Sequence, residues 1–352
     1  MTIRAALIGF GYAGKTFHAP LINATHGLEL AVVASSDAAK VHAVLAGVVV
    51  EPDPLAAIAR ADIDLVVIAT PNPSHAPLAR AAIAAGKAVV VDKPMALDLA
   101  EARELVALAK AANVPLWVFH NRRWDSDFLT VRQAIDDGLL GTVAHFESHF
   151  DRFRPHVRDR WRENAGPGSG VWQDLGPHLV DQALHVFGLP DRVTASFARQ
   201  RPGSAATDWA HVVLEYPQLR CILHAGMLVA GGSPRFIVHG TAGSLIKTLP
   251  DRQEAQLLEG LTPRDAAWGL DADPAVLHTP EGTHAIAATR GDQSLFYHTL
   301  VQSLAHGGIG PIRPIEALAT TAVVEASELS ANNGKSVVPA LTGAERESYA
   351  LQ

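Results

Sequence analysis

A short, largely apolar run, Ile3–Ile8, passes straight into Gly9-Phe10-Gly11-Tyr12-Ala13-Gly14, and a helical stretch follows. Few folds use that order. A lone G-x-G-x-x-G is a weak signal, but between a strand and a helix it is the phosphate-binding turn of a βαβ unit. Each glycine has a physical task there. Gly9 allows the tight turn, Gly11 lets the backbone approach a pyrophosphate, and Gly14 lets the helix pack on the strand. The helix N-terminus favours the anionic phosphates. Phe10 and Tyr12 lie inside the same turn and are expected to line the cofactor.

The rest of the first third keeps the alternation such a unit requires. Strand-like runs at Leu28–Ala34, Asp64–Thr70, Ala88–Val91 and Val114–Phe119 are separated by Ala-rich segments with helical spacing. Ser74–Ala85 is closed by Gly86. Leu97–Ala112 opens at Asp98, a plausible N-cap, and stops at Asn113. Strands apolar on both faces, alternating with helices, imply a parallel sheet covered on both sides, a doubly wound α/β domain. A dinucleotide site for NAD expects an acid at the end of the second strand. Here that strand ends in Ser35-Ser36, and the first acid, Asp37, lies past the expected place. Small hydroxyl residues leave room for a 2′-phosphate, with Lys40 nearby, which favours NADP. Asp37 swinging back to the ribose would favour NAD.

After about residue 120 the pattern changes. A helix is expected over Asp125–Asp137, stopped by Gly138. Strands are expected at Thr142–Phe150, Arg192–Ala198, Ala210–Tyr216, Arg220–Met227 and Phe236–His239. They read as a mainly antiparallel sheet in an α+β domain. Thr241–Ser244 reads as a hairpin turn, and residues 250–290, rich in Pro, Gly and Asp, read as a long loop region. Two helices follow, Asp292–Ala305 and Ile315–Ala331. The expected division is a Rossmann domain over residues 1–120 and a substrate-binding and oligomerisation domain over residues 121–352.

Composition narrows the function classes. The 352 residues are 48% hydrophobic and 18% charged, enough for buried cores in about two domains. A net charge of −7 argues against a general nucleic-acid binder. No uninterrupted run of about 18 apolar residues suggests a membrane span. The single cysteine, Cys221, excludes an intramolecular disulfide. With no signal-peptide pattern at the start, the expected location is the cytoplasm.

Two clusters carry candidate chemistry. Val89-Val90-Val91-Asp92-Lys93-Pro94 puts a lysine just beyond a buried strand, where ligands of open α/β sheets sit. Gly168-Ser169-Gly170 leads into a helix on which Asp174 and His178 are spaced i, i+4, one turn apart on one face. An imidazole so placed is suited to take a hydroxyl proton near neutral pH. Asn121 and Arg122, after the sixth strand, are positioned for substrate contact. Arg152, Arg154, Arg158, Arg160 and Arg162, dense around Trp161, read either as a clamp for an anionic or polyhydroxylated ligand or as a solvated loop. His145, Glu147 and His149 share a strand face. The two histidines lie about 13 Å apart along the strand, too far to share one metal, so no metal site is expected.

Together these segments resemble the Gfo/Idh/MocA oxidoreductase family over essentially the whole chain. The likeness rests on Gly9 to Pro20, on Asp92-Lys93-Pro94, where the family usually has Glu-Lys-Pro, and on the glycine-rich loop before Asp174 and His178. His120-Asn121-Arg122-Arg123-Trp124-Asp125 and Phe150-Asp151-Arg152-Phe153-Arg154-Pro155 resemble the NADP-dependent scyllo-inositol dehydrogenase subgroup. The resemblance implies hydride transfer between nicotinamide C4 and a carbinol or ketone. By the same mapping Lys93 polarises the reacting oxygen, His178 is the acid/base and Asp174 orients it. Thr70, Pro71, Asn72 and His75 line the cofactor with Asp92 and Lys93, and Arg152 and Trp161 contact substrate. It implies a sugar or cyclitol substrate, NADP with NAD possible, no nucleic-acid or membrane partner, and a homo-oligomer, dimer or tetramer, through the C-terminal sheet. Two alternatives differ in kind. A non-catalytic cofactor-binding regulator would lack the lysine and the Asp/His pair, and a reductase of a tetrapyrrole or dihydrodiol would act on a less hydroxylated substrate.

Overall fold

The computed structural model describes residues 2–351. They form two compact units, each discontinuous in sequence. The first comprises residues 1–121, 253–268 and 292–318, and the second residues 122–252, 269–291 and 319–352.

The first unit is built on β1 (Ile3–Ile8), β2 (Leu28–Ala34), β3 (Val49–Glu51), β4 (Leu65–Ile68), β5 (Ala88–Val91) and β6 (Leu116–Val118). They pair in the order β3-β2-β1-β4-β5-β6, and every pair is parallel. All four residues of β4 are fully buried, the signature of a strand covered on both faces. The order reverses between β1 and β4, and ligands of doubly wound sheets sit at such a switch point, beyond the carboxyl ends of the strands. The boundaries follow local chemistry. The Asp98 carboxylate accepts the Glu101 amide at 2.8 Å and caps the Leu99–Ala111 helix, while Gly86 and Asn113 take positive φ after their helices.

The second unit carries β7 (Val143–Asp151), β8 (Arg192–Ala198), β9 (Trp209–Glu215), β10 (Arg220–Gly226), β11 (Phe236–Gly240), β12 (Ser244–Lys247), β13 (Ala275–Thr279) and β14 (Gly282–Ile286). Their order is β14-β13-β12-β11-β7-β10-β9-β8. All pairs are antiparallel except β7 with β10. Burial alternates along β9 because one face of the sheet packs against the 17-residue helix Val171–Phe187. That helix runs through Pro177 without a break. Beneath it lies a buried polar group. The Arg235 guanidinium donates to Asp127 at 3.1 Å and to Gln182 at 2.8 Å, and it stacks 3.9 Å above the Phe150 ring.

Residues 250–290 are not a loop. They contain a helix, Gln253–Leu258, and the β13–β14 hairpin that completes one edge of the second sheet. The hairpin turn at residues 241–244 is present, with the Gly240 amide donating to the Gly243 carbonyl at 2.9 Å. Among the described residues no helix is long and apolar enough to cross a membrane.

Candidate active site

In the first unit the glycine loop has the shape a dinucleotide needs. A Cβ on Gly9, whose φ is +98°, would stand 2.7 Å from the Ala69 carbonyl oxygen, and one on Gly14 would strike the Gly9 carbonyl. A Cβ on Gly11 would meet nothing within 4 Å. Two glycines therefore hold the turn against β4, and the third leaves its outer side open. That fits a pyrophosphate lying on the turn. Phe10 is buried beneath it. Tyr12 is exposed, and its hydroxyl donates to Glu254 at 2.6 Å, tying the turn to the Gln253–Leu258 helix. The chain continues through a π-helical turn, Gly14–His18, into the helix Ala19–Ala24.

Ser35 and Ser36 follow β2 directly, Ser35 partly buried and Ser36 exposed. The Asp37 carboxylate accepts the Lys40 amide at 2.9 Å and caps the short Ala38–His42 helix. After β4, Thr70 accepts the Ser74 hydroxyl at 2.7 Å, Pro71 is exposed and Asn72 is buried. The buried His75 ring bridges the Thr70 and Pro94 carbonyls at 2.8 and 2.7 Å, joining the segments that follow β4 and β5. Asp92 is buried and accepts the Lys93 amide at 2.8 Å, leaving Lys93 half-buried at the carboxyl end of the sheet. Asn121, also buried, donates to Gln293 at 2.9 Å.

In the second unit Asp174 and His178 lie one turn apart in the first half of the Val171–Phe187 helix. His178 is buried, with its ring edge-on to Phe150 at 6.5 Å between centroids. Arg122 lies over the same Phe150 ring at 5.0 Å and donates to the buried Asp125 at 2.9 Å. Asp174 is partly exposed and sits 3.3 Å from the Arg162 guanidinium. That guanidinium also covers Trp161 at 4.6 Å. Arg152 and Asp174 line a common cleft. The His145–Glu147–His149 row is a hydrogen-bonded chain: Glu147 takes one imidazole on each oxygen, at 2.7 and 2.8 Å. Those two contacts hold the Glu147 carboxyl below its usual range although burial opposes them, and His149 is raised against burial by Asp151 and Glu147.

The sequence assigned no role to two features that the fold brings forward. His18 is fully buried, its Nδ1 lies 2.6 Å from the Tyr297 hydroxyl, and its ring packs on Phe119 at 4.2 Å. Tyr297 enters from a helix 279 positions away, so no local pattern could join the two. The buried Arg235 under Phe150 was equally hidden, because composition does not say which arginine is inside.

Two family models together match most of the chain. The model described as an oxidoreductase family, NAD-binding Rossmann fold, covers residues 3–120. The one described as an oxidoreductase family, C-terminal alpha/beta domain, covers residues 132–339. The uncharacterized oxidoreductase YdgJ of Escherichia coli K12 is 50% identical over 327 residues, 92% of this chain and 94% of its own. The scyllo-inositol 2-dehydrogenase (NADP(+)) IolW of Bacillus subtilis 168 is 32% identical over 353 residues, 96% of each chain. A solved Klebsiella pneumoniae structure superposes with a TM-score of 0.94 at 53% identity, covering 99% of this chain and 98% of that one.

Proposed function

The chain belongs to the Gfo/Idh/MocA family of oxidoreductases, and from that premise we propose that it transfers a hydride between NADP(H) and a carbinol of a sugar or cyclitol. The observation that supports the reading is the position of Lys93, two residues past β5, at the same carboxyl end of the parallel sheet from which the Gly9–Gly14 turn leaves β1. The bound nicotinamide supplies the hydride acceptor. This chain's residues do the rest. Lys93 holds and polarises the reacting oxygen by its charge. His178 takes the hydroxyl proton as the alcohol is oxidised and returns it in the reverse direction. Asp174, one turn earlier, orients that centre. Three features support NADP over NAD. Ser35 and Ser36 stand where an acid would select NAD, Asp37 serves as a helix cap, and the IolW relative is named as NADP-dependent. The outer row of the second sheet, centred on Glu147, is proposed as the face through which copies associate into a dimer or tetramer. Light scattering of the full chain would test this, and a monomer would refute it.

The test of the activity is a panel of polyols, sugars and cyclitols with NADP and with NAD, followed at the nicotinamide absorbance. Cofactor reduction by at least one polyol, faster with NADP, is expected. Reduction by none, with both cofactors bound, would favour a regulatory role.

A further inference from the structure

A cleft in the second unit gathers the arginines around Trp161 and leaves two of them without an acid. Asp174 lies on its wall. Six guanidiniums, those of Arg152, Arg154, Arg158, Arg160, Arg162 and Arg201, face only three carboxylates there. The three acids are already shared out. Glu163 lies 3.2 Å from Arg158, 3.5 Å from Arg160 and 3.1 Å from Arg201. Asp208 lies 3.0 Å from Arg201, and Asp174 lies 3.3 Å from Arg162. Arg152 and Arg154 make no ion pair among the described residues.

The backbone presents these two side chains together. The Arg152 amide donates to Gly226 at 2.9 Å and the Arg154 amide to Met227 at 2.8 Å, while Phe153 bridges Leu228 in antiparallel register. In such a ribbon alternate residues share a face. Phe153 points the other way and is 57% exposed, whereas Arg152 and Arg154 both line the cleft. Burial lowers the Arg154 pKa most, the neighbouring charges of Arg152 and Arg158 lower it further, and Glu163 and Asp174 oppose them. Gly170 and Val171, at the N-terminus of the Val171–Phe187 helix, line the same cleft and add to its positive field. A half-buried, unpaired pair of guanidiniums is costly unless an anion meets it, and the planar fork suits carboxylate and phosphate oxygens.

We propose that Arg152 and Arg154 form an oxyanion site, and that the polyol oxidised by this protein carries a carboxylate or phosphate group held there. The second half of the statement rests on the reading given under Proposed function; the site itself does not. It narrows the substrate class from neutral polyols to aldonic-acid-like or phosphorylated ones.

Two arms separate the claims. In the first, inorganic phosphate is titrated calorimetrically into the full chain at constant ionic strength. Binding is expected, at least about tenfold weaker in Arg154→Ala and in Arg152→Ala, with Arg154→Lys between them and unchanged melting temperatures. No binding by the wild type, or equal binding by all variants, overturns the site. If the alanine variants fail to fold, Arg154→Lys alone decides by the same comparison. In the second arm, aldonates and cyclitol phosphates are compared with their neutral parents as substrates with NADP. The anionic compounds are expected to show kcat/KM at least about tenfold higher than their neutral parents, an advantage lost in Arg154→Ala. Equal or better turnover of the neutral parents overturns the substrate claim. Phosphate binding with no turnover of any polyol leaves the site standing and refutes the dehydrogenase reading instead.

Discussion

The hydroxyl of Tyr297 lies 2.6 Å from Nδ1 of His18, and neither side chain has solvent exposure. Burial pushes the His18 pKa from 6.5 down to about 4, with Asp92 opposing and His75 adding to the shift. Between those two values the unfolded chain holds a proton that the folded chain refuses. Stability therefore falls as pH drops through 6.5 and levels off below about 4. From pH 7 to pH 5 this one group should cost about 2 kcal/mol. Urea unfolding at the two pH values should show the wild type losing about that much more than His18→Gln. Equal losses would mean that His18 does not resist protonation in the folded protein.

The three glycines of the cofactor turn should separate by phenotype. Gly14→Ala sets a methyl group against the Gly9 carbonyl, backbone that cannot step aside, so the melting temperature should drop. Gly11→Ala meets nothing within the protein and should fold normally. It should instead weaken NADP binding, measured by quenching of tryptophan fluorescence, because the methyl group occupies the open side of the turn. A Gly11→Ala protein that binds NADP as the wild type does would move the pyrophosphate elsewhere.

Cofactor choice should turn on the end of β2. Wild-type protein should bind NADP more tightly than NAD, and Ser35→Asp should reverse that order by at least about tenfold through repulsion of the 2′-phosphate. Titration of both cofactors into both proteins decides it. Tighter NAD binding by the wild type would return Asp37 to the ribose.

These expectations rest on parts of the molecule that differ in how visibly the sequence encodes them. The parallel sheet was legible because β4 and β5 are apolar on every residue and sit between capped helices. β3 was not, since Val49–Glu51 is three residues long and only partly buried. In the Gln253–Leu258 helix the buried side chains are Gln253 and Gln256, while Leu258 is 62% exposed. Its hydrophobic pattern is thus inverted, and periodicity reads it as loop. β14 is an edge strand with almost every residue exposed, so it has no apolar face to announce it. Within the site, Lys93, Asp174 and His178 stand out because local context marks them. The arginine cluster around Trp161 stands out as well. That Arg152 and Arg154 are the two left without an acid does not, because it depends on which acids the other arginines engage.

His178 carries the proton in this account. His178→Asn should lower kcat/KM by about 10²–10⁴-fold, the usual worth of a general base, with NADP affinity unchanged. Steady-state rates and a cofactor titration on the same preparation check both halves. A loss of only a few-fold would give the proton to another group.

The central claim is that Lys93 acts on the reacting oxygen. Its most direct test is the kcat of Lys93→Met at saturating NADP and polyol, with the NADP dissociation constant measured alongside. A charged contact made to developing charge is worth about 3–4 kcal/mol, so kcat should fall roughly 10²–10³-fold while cofactor binding stays within a few-fold of wild type. An unchanged kcat, with or without a raised KM, would contradict the account, because Lys93 would then contribute nothing specific to the transition state.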